Sequence, residues 1–350
     1  MKLMDHPVFR RFWYPTLSLA SLQAGPQAFT LLGERVVLWL TADGRPAAVH
    51  DRCPHRSARL SVDSAVVNGD LRCGYHGWQF GADGRCTSIP QLGGEVPPDA
   101  RNRVKAYRCE ARYGFAWVCL SEEPLLDIPV VRHADDPAFR QVFEYEEDWA
   151  ANMLRVCENA LDLAHVSFVH RATIGEEHRP VAPRLTLRPL EQGVHFTCQL
   201  PVANPEPQQR NLRIAEAETL RTVDIRWYAP CTFVLHFTYP NGLVHQIVGF
   251  ATPIDDGHVR RIQFAYRSDR EADAPAESVA RFDRQVGAED RRILESCDPD
   301  FPLHTTAEAH MVLDRPGITM REVVKALILE HDPERERLRA ELGGGRRQAA

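Results

Sequence analysis

Cys53-Pro54-His55-Arg56 and Cys73-Gly74-Tyr75-His76-Gly77-Trp78 are two short segments that each supply one thiolate and one imidazole. Two Cys and two His suit a 2Fe-2S cluster in which one iron takes Cys53 and Cys73 and the other takes His55 and His76. Replacing two thiolates by neutral imidazoles removes two negative charges from around the cluster, which eases reduction and raises its potential. Electron transfer is the implied job. Tetrahedral zinc accepts the same donor set and is the alternative. Zinc knuckles, however, usually pair their first ligands as Cys-x2-4-Cys, whereas this chain reads Cys-x-His and then Cys-x2-His. Pro54, Gly74 and Gly77 shape tight loops whose backbone N–H groups can point at bridging sulfides.

Outward from these loops, short β-like runs at Phe29 to Leu32, Val36 to Thr41 and Phe115 to Leu120, separated by Gly and Asp turns, predict a small all-β domain. Residues 121–140, with Pro124, Pro129 and Asp135-Asp136-Pro137, read as a connector. Beyond it the pattern changes to a helix from about Ala150 to Val169, β-like runs at 184–200, 219–239, 243–253 and 258–267, and a helix from about Ala276 to Ser296. Helices at both ends of an antiparallel sheet make an α+β domain. The expected organisation is thus a cluster domain at 1–130, a second domain at 131–335 and a tail at 336–350, the chain fraying from Asp332 onward.

Composition bounds the function. A chain of 350 residues holds two domains with real cores, far more than an electron carrier needs. A net charge of -6 gives no basic footprint, so no nucleic-acid partner is expected. Residues 1–15 have no apolar h-region and no stretch approaches a membrane span, so a cytoplasmic protein without a membrane partner is expected. Of nine Cys, Cys109, Cys119, Cys198 and Cys231 sit in apolar or β-like runs and read as reduced core residues.

A second constellation lies on the helix at 150–169. Asp162 and His165 are three apart and share a helix face, while His170 returns to that face only if the helix ends or unwinds nearby. Two imidazoles beside an Asp begin a 2-His-1-carboxylate iron site, the alternative being satisfied core or surface histidines. The helix at 276–296 offers the third ligand. Val279, Phe282, Val286, Ile293 and Cys297 form an apolar stripe into which Asp290 falls, and a carboxylate there is costly unless paired or bound to metal. Glu289, near the stripe's edge, is the competitor; a buried Asp satisfied by Arg or backbone is the other alternative.

Over essentially its whole length the chain resembles the oxygenase (α) component of the Rieske non-haem iron oxygenases. The resemblance is carried by the run from Val49 to Pro90, by Tyr113-Gly114-Phe115-Ala116-Trp117-Val118, by Asn159-x2-Asp162-x2-His165-x4-His170, and by Glu289-Asp290. Length and motif spacing look like the α-only branch of phthalate-type oxygenases and vanillate and dicamba demethylases. The chain departs from the pattern at Ser57-Ala58, where Gly-Ala is frequent, and at Ser61-Val62-Asp63, where a turn commonly contains Gly. The resemblance implies an N-terminal all-β Rieske domain and a C-terminal helix-grip domain. It implies cluster ligands Cys53, His55, Cys73 and His76 and mononuclear Fe(II) ligands His165, His170 and Asp290. It further implies that Asp162 bridges His165 to a cluster histidine, the equivalent of His76, of a neighbouring subunit in a homotrimer, and that Asn159 lies near the iron's vacant face.

The function so implied is O2-dependent hydroxylation or oxidative demethylation of an aromatic or polycyclic small molecule. No Gly-x-Gly-x2-Gly phosphate loop follows a strand, so NAD(P)H must be used by a separate reductase, with or without a ferredoxin. Three other readings stay open: a cis-dihydroxylating ring dioxygenase, a Rieske electron-transfer protein without oxygenase activity, and a zinc-stabilised binding module. A pocket built from the sheet and its loops has Ile174, Trp227, His236, Asn241 and His245 as its first candidate positions, a place in the core or on the surface being the favoured alternative for each.

Overall fold

The computed structural model describes residues 2–331, so the tail and the fraying from Asp332 onward lie outside the described residues. Two compact units form, one of residues 9–128 and one of residues 2–8 with 129 onward. No helix among the described residues is long and apolar enough to cross a membrane.

In the smaller unit, Tyr14–Ser18 (β1) is followed by a single helical turn, Leu19–Leu22 (α1), and by Gln27–Leu31 (β2), Glu34–Leu40 (β3) and Pro46–His50 (β4). Ala65–Val67 (β5), Asp70–Arg72 (β6), Gln79–Phe80 (β7), Cys86–Ser88 (β8), Ala106–Arg112 (β9) and Phe115–Cys119 (β10) complete it. The strands make a six-stranded antiparallel sheet, β1-β10-β9-β4-β3-β2, and a four-stranded one, β5-β6-β7-β8. Val37, Trp39, Val49, Leu60, Leu71, Phe80 and Val104 pack a core around Cys53 and Cys73. The two Cys–His segments are the loops between β4 and β5 and between β6 and β7.

The larger unit opens with Arg140–Trp149 (β11), then Met153–Leu161 (α2) and Val166–Val169 (α3). Thr186–Arg188 (β12), Gly193–Ala203 (β13), Glu206–Leu212 (α4), Glu218–Tyr228 (β14), Thr232–Thr238 (β15), Val244–Pro253 (β16) and Val259–Arg267 (β17) follow. Ala276–Leu294 (α5) and Arg315–His331 (α6) close the unit. Its seven strands form one antiparallel sheet, β11-β17-β16-β15-β14-β13-β12. α5 packs on β11, and α2 packs on β14, β15 and β16, giving the α+β architecture expected. α6 is pinned to α2 by the fully buried Arg321, whose Nε donates to Glu158 Oε1 at 2.7 Å and whose Nη1 donates to the Pro302 carbonyl at 2.9 Å.

Four readings are corrected. The helix expected from Ala150 to Val169 is broken: Asp162 adopts extended angles and its carboxylate accepts the Ala164 N–H at 2.7 Å, an Asx turn that outcompetes helical bonding. The runs at 184–200 and 219–239 are each two strands, parted at Pro189 and Pro230, because proline has no N–H for a ladder. β11 was not expected, and Arg140 belongs to it rather than to the connector. Ile293 is 41% exposed, so the inward stripe of α5 runs through Val279, Phe282, Asp283, Gly287 and Leu294 instead.

Candidate metal centres

The two Cys–His loops are built alike. Cys53 N–H donates to the Ala58 carbonyl and Cys73 N–H to the Trp78 carbonyl, both at 2.8 Å, while Ser57 and Gly77 donate back to Cys53 and Cys73, both at 3.0 Å. The returning residue is left-handed in each, with φ +59° at Ser57 and +74° at Gly77. That conformation is free for Gly77 and strained for Ser57, where the Arg52 guanidinium donates to the hydroxyl at 2.8 Å. Gly74 is fixed by space, since a Cβ there would sit 2.4 Å from the Asp63 carbonyl oxygen. Buried Asp51 ties the first loop by accepting from the Ser61 N–H at 2.8 Å and the Ser61 hydroxyl at 2.7 Å.

Both thiols are buried, and both imidazoles are half-buried with ring centroids 4.3 Å apart. His55 stacks on Trp78 at 4.7 Å, and its Nδ1 is buried without a hydrogen-bond partner. Burial, with the neighbouring Cys73 adding to it, pushes the Cys53 thiol up to about 12, so it gives up its proton only to a metal. Four donors around one tetrahedral zinc would sit roughly 3.5 Å apart. Only two groups of three or more such side chains among the described residues bring their donor atoms within 4.8 Å of one another, and these four do not form one. Their spread suits a cluster better than a single ion.

His165, His170 and Asp290 do form such a group. The break at Asp162 lets the chain turn, so that His165 precedes α3 and His170 follows it. Their Nε2 atoms lie 3.2 Å apart, and Asp290 Oδ1 lies 3.5 Å from the first and 3.3 Å from the second. Each ring is held from behind. Asp162 Oδ2 is 3.3 Å from His165 Nδ1, and Glu289 Oε2 is 2.9 Å from His170 Nδ1 and also accepts from Thr173 Oγ1 at 2.7 Å. A carboxylate behind Nδ1 puts the proton there and leaves a lone pair on Nε2. Two lone pairs and a carboxylate oxygen this close repel unless a cation or a proton lies between them. Burial pulls the His170 imidazole down, but Asp290 and Glu289 outweigh it and hold it above its ordinary value. Burial likewise pushes Asp290 up, and His170, His165 and Asn159 outweigh it. The donor set and its tautomers therefore fit a divalent iron, in the arrangement of a 2-His-1-carboxylate site.

The second group, Glu144, His245 and Asp283, is fully buried. Here Arg267 Nη1 donates to His245 Nδ1 at 2.6 Å, so the ring proton is on Nε2 and no lone pair faces the carboxylates. That nitrogen sits 3.3 Å from Asp283 Oδ2, out of hydrogen-bond alignment. Burial and the nearby Asp283 raise Glu144 well above the ordinary carboxyl range; burial also raises Asp283, but His245, Glu144 and Arg267 hold it below its own. One carboxyl keeps its proton and the other ionises.

Both groups reach one cavity with about 970 Å³ of empty space, counting its open mouth, the second through His245 and Asp283. Its apolar wall includes Ile225, Leu235, Ile247, Phe282 and Val286. Of the five candidate positions, Ile174 and His245 line it. The alternative holds for the other three: Trp227 is in the core, Asn241 caps a turn by donating to the Leu212 carbonyl at 2.8 Å, and His236 pairs with Gln246 at 3.2 Å away from this cavity. Asn159 borders the cavity, but its amide donates to Asp290 Oδ1 at 3.0 Å. Glu289 and Thr173 escaped the sequence reading as partners of His170; the only signal was a second acid beside Asp290.

A model of the Rieske [2Fe-2S] domain matches residues 12–108, and one of the vanillate O-demethylase oxygenase C-terminal domain matches residues 149–330. Methylxanthine N1-demethylase NdmA of Pseudomonas putida is 28% identical over 93% of this chain and 91% of its own. The oxygenase component of dicamba O-demethylase from Stenotrophomonas maltophilia is 35% identical over 47% of this chain and 48% of its own. The solved structure of Pseudomonas putida NdmA with caffeine superposes with a TM-score of 0.80 at 25% identity, covering 93% of each chain.

Proposed function

The chain belongs to the Rieske non-haem iron oxygenases as an oxygenase component, and from that premise we propose that it oxidatively demethylates or hydroxylates an aromatic small molecule in the cavity beside His165, His170 and Asp290. The observation that carries the reading is the convergence of two Nε2 lone pairs and one carboxylate oxygen on that cavity. Cys53, His55, Cys73 and His76 would hold the 2Fe-2S cluster, and His165, His170 and Asp290 the mononuclear iron. When bound, the iron offers open positions for O2 beside a C–H bond, and the cluster relays electrons singly.

The protein's own groups orient these ligands. Asp162 aims His165, Glu289 and Thr173 aim His170, and Asn159 aims Asp290. The apolar wall keeps water from the reacting carbon. For a methyl ether the balance is substrate, O2, NAD(P)H and a proton giving the phenol, formaldehyde, NAD(P)+ and water. The nicotinamide is oxidised by a separate reductase, directly or through a ferredoxin, and the location we propose is the cytoplasm, which the need to share that electron supply supports.

The assembly we propose is a homotrimer in which Asp162 reaches His76 of the next subunit. What supports it is that the Asp162 side chain keeps a third of its surface exposed while engaging His165, and that His76 is only half-buried in its own unit.

The test is a reconstitution with a surrogate reductase. Aryl methyl ethers and N-methyl heterocycles should drive coupled NADH and O2 consumption with formaldehyde release. Protein with full iron and sulfide that couples consumption to none of them would overturn the demethylase reading.

A further inference from the structure

We infer that Arg221 anchors a carboxylate on the substrate, which makes aromatic acids the class this cavity takes; the inference rests on the oxygenase reading above. β14 alternates strictly, and the alternation runs against residue type at one place. Leu220 is 55% exposed on the outer face, whereas Arg221 is 5% exposed on the inner face with Val223, Ile225 and Trp227. Leu200, its neighbour on β13, lines the same cavity.

The guanidinium has almost nothing to bond. Its Nε is buried with no acceptor, and Nη1 reaches only the Tyr239 hydroxyl at 3.3 Å. Among the described residues, no carboxylate lies within the 4.0 Å of an ion pair with it. One face stacks on Phe237 at 3.8 Å, which satisfies the plane of the group and not its edge. The other buried arginines show what satisfaction looks like here. Arg267 pairs with Asp269, Arg321 pairs with Glu158 and Glu308, and cavity-lining Arg261 donates to the Phe250 and Ile262 carbonyls and to Gln263.

Among the described residues, no group in contact with Arg221 supplies the missing negative charge. Tyr239 offers a hydroxyl, the buried Cys198 thiol is pushed up to about 11, and burial lowers His245 so that it stays uncharged. Asp283, the ionised acid on the cavity wall, faces His245 at 3.3 Å and lies beyond the 4.0 Å of an ion pair with Arg221. A buried cation without a partner is costly, and a guanidinium edge matches a carboxylate two bonds at a time. The ligand that completes the site therefore carries a carboxylate for Arg221 and a flat apolar body for the wall of Ile225, Leu235, Ile247 and Phe282.

The test is calorimetric binding to the iron-loaded protein of the three methoxybenzoate isomers, each against its carboxamide, with caffeine as a neutral heterocycle. At least one acid should bind about tenfold or more tightly than its amide. Arg221→Gln should remove that preference while metal content and cluster spectrum stay unchanged, and Arg221→Lys should restore part of it. Acid and amide binding equally, or neither binding, would overturn the inference, and this result comes from the unmutated protein whatever the fate of the variants. Formaldehyde from caffeine without binding of any acid would sink the Arg221 inference and leave the demethylase reading standing. An acid that binds but never yields product would do the reverse.

Discussion

His165, His170 and Asp290 on one side of the cavity, and Glu144, His245 and Asp283 on another, are both clusters of imidazole and carboxylate within 4.8 Å. They differ in what stands behind the imidazole. Carboxylates behind His165 and His170 fix protons on Nδ1 and turn lone pairs toward one point. A guanidinium behind His245 does the opposite, turning an N–H toward its acids and adding a positive charge that would repel a dication. Residue type and proximity alone cannot separate a metal site from a proton-sharing network, whereas the second partner of each histidine can.

Breaking the first cluster should have the largest effect. His170→Ala or Asp290→Ala should abolish turnover and reduce iron to the amount the cluster alone accounts for, with cluster absorbance intact. His245→Gln should keep full iron. Loss of mononuclear iron in His245→Gln and its retention in His170→Ala, read by metal analysis, would invert the comparison.

The first cluster also has an acid with surface to spare, and the second has none. Asp162→Ala should keep both metal centres yet lose product formation, because the carboxylate is proposed to link His165 to His76 of the next subunit. Mixing Cys73→Ser with His165→Ala chains, each inactive alone, should recover part of the activity if electrons cross between subunits. No recovery in verified mixed oligomers would mean that they stay within one chain.

Glu289→Gln probes the support behind His170 and should be milder. Loss of an acid behind a metal-bound histidine weakens metal affinity by roughly 10- to 100-fold, readable by chelator competition. Thr173→Val, which leaves Glu289 in place and removes the hydroxyl that bonds it and the His170 carbonyl, should shift it less.

How much of this was legible beforehand follows local chemistry. The Cys-x-His and Cys-x2-His spacings placed both cluster loops, because four ligand-type residues in two tight turns have few other uses. Asp290 was reached through a stripe in which Ile293 proved exposed, so the conclusion stood on Val279, Phe282 and Val286. β11 was invisible because Glu144, Glu146, Glu147 and Asp148 dilute its alternation; pairing with β17 explains three of them, Gln263 donating to Glu144 at 2.7 Å and Arg260 to Glu146 at 2.7 Å and bonding Asp148 as well, while Glu147 takes Trp149 and Arg291. The break at Asp162 was open to either outcome, since an Asx turn and a helix compete for the same N–H groups. The departures at Ser57 and Asp63 look minor in sequence, yet both residues are left-handed, with φ +59° and +50°. Arg221 could not be read at all, because its meaning lies in the partners it lacks.

The smallest expected effect sharpens the second cluster. Burial and Asp283 raise Glu144 in the folded protein, while unfolded it titrates near about 4.3. A raised pKa means that the folded state holds the proton more tightly. This contribution to stability is therefore complete below the unfolded value and is lost as pH rises through the folded one. Asp283 runs the other way: its depressed pKa stabilises above its ordinary value, and that contribution fades as pH falls. Glu144→Gln imitates the protonated acid at every pH, keeping the partner of Gln263 while removing the charge. Relative to this variant, the unmutated protein should lose thermal stability as pH climbs, on the order of 3 °C for each kcal/mol. Melting curves of the two proteins across the pH range make the check. Parallel curves would mean that Glu144 carries no extra proton, and that a guanidinium behind His245 does not keep this cluster a proton-sharing network.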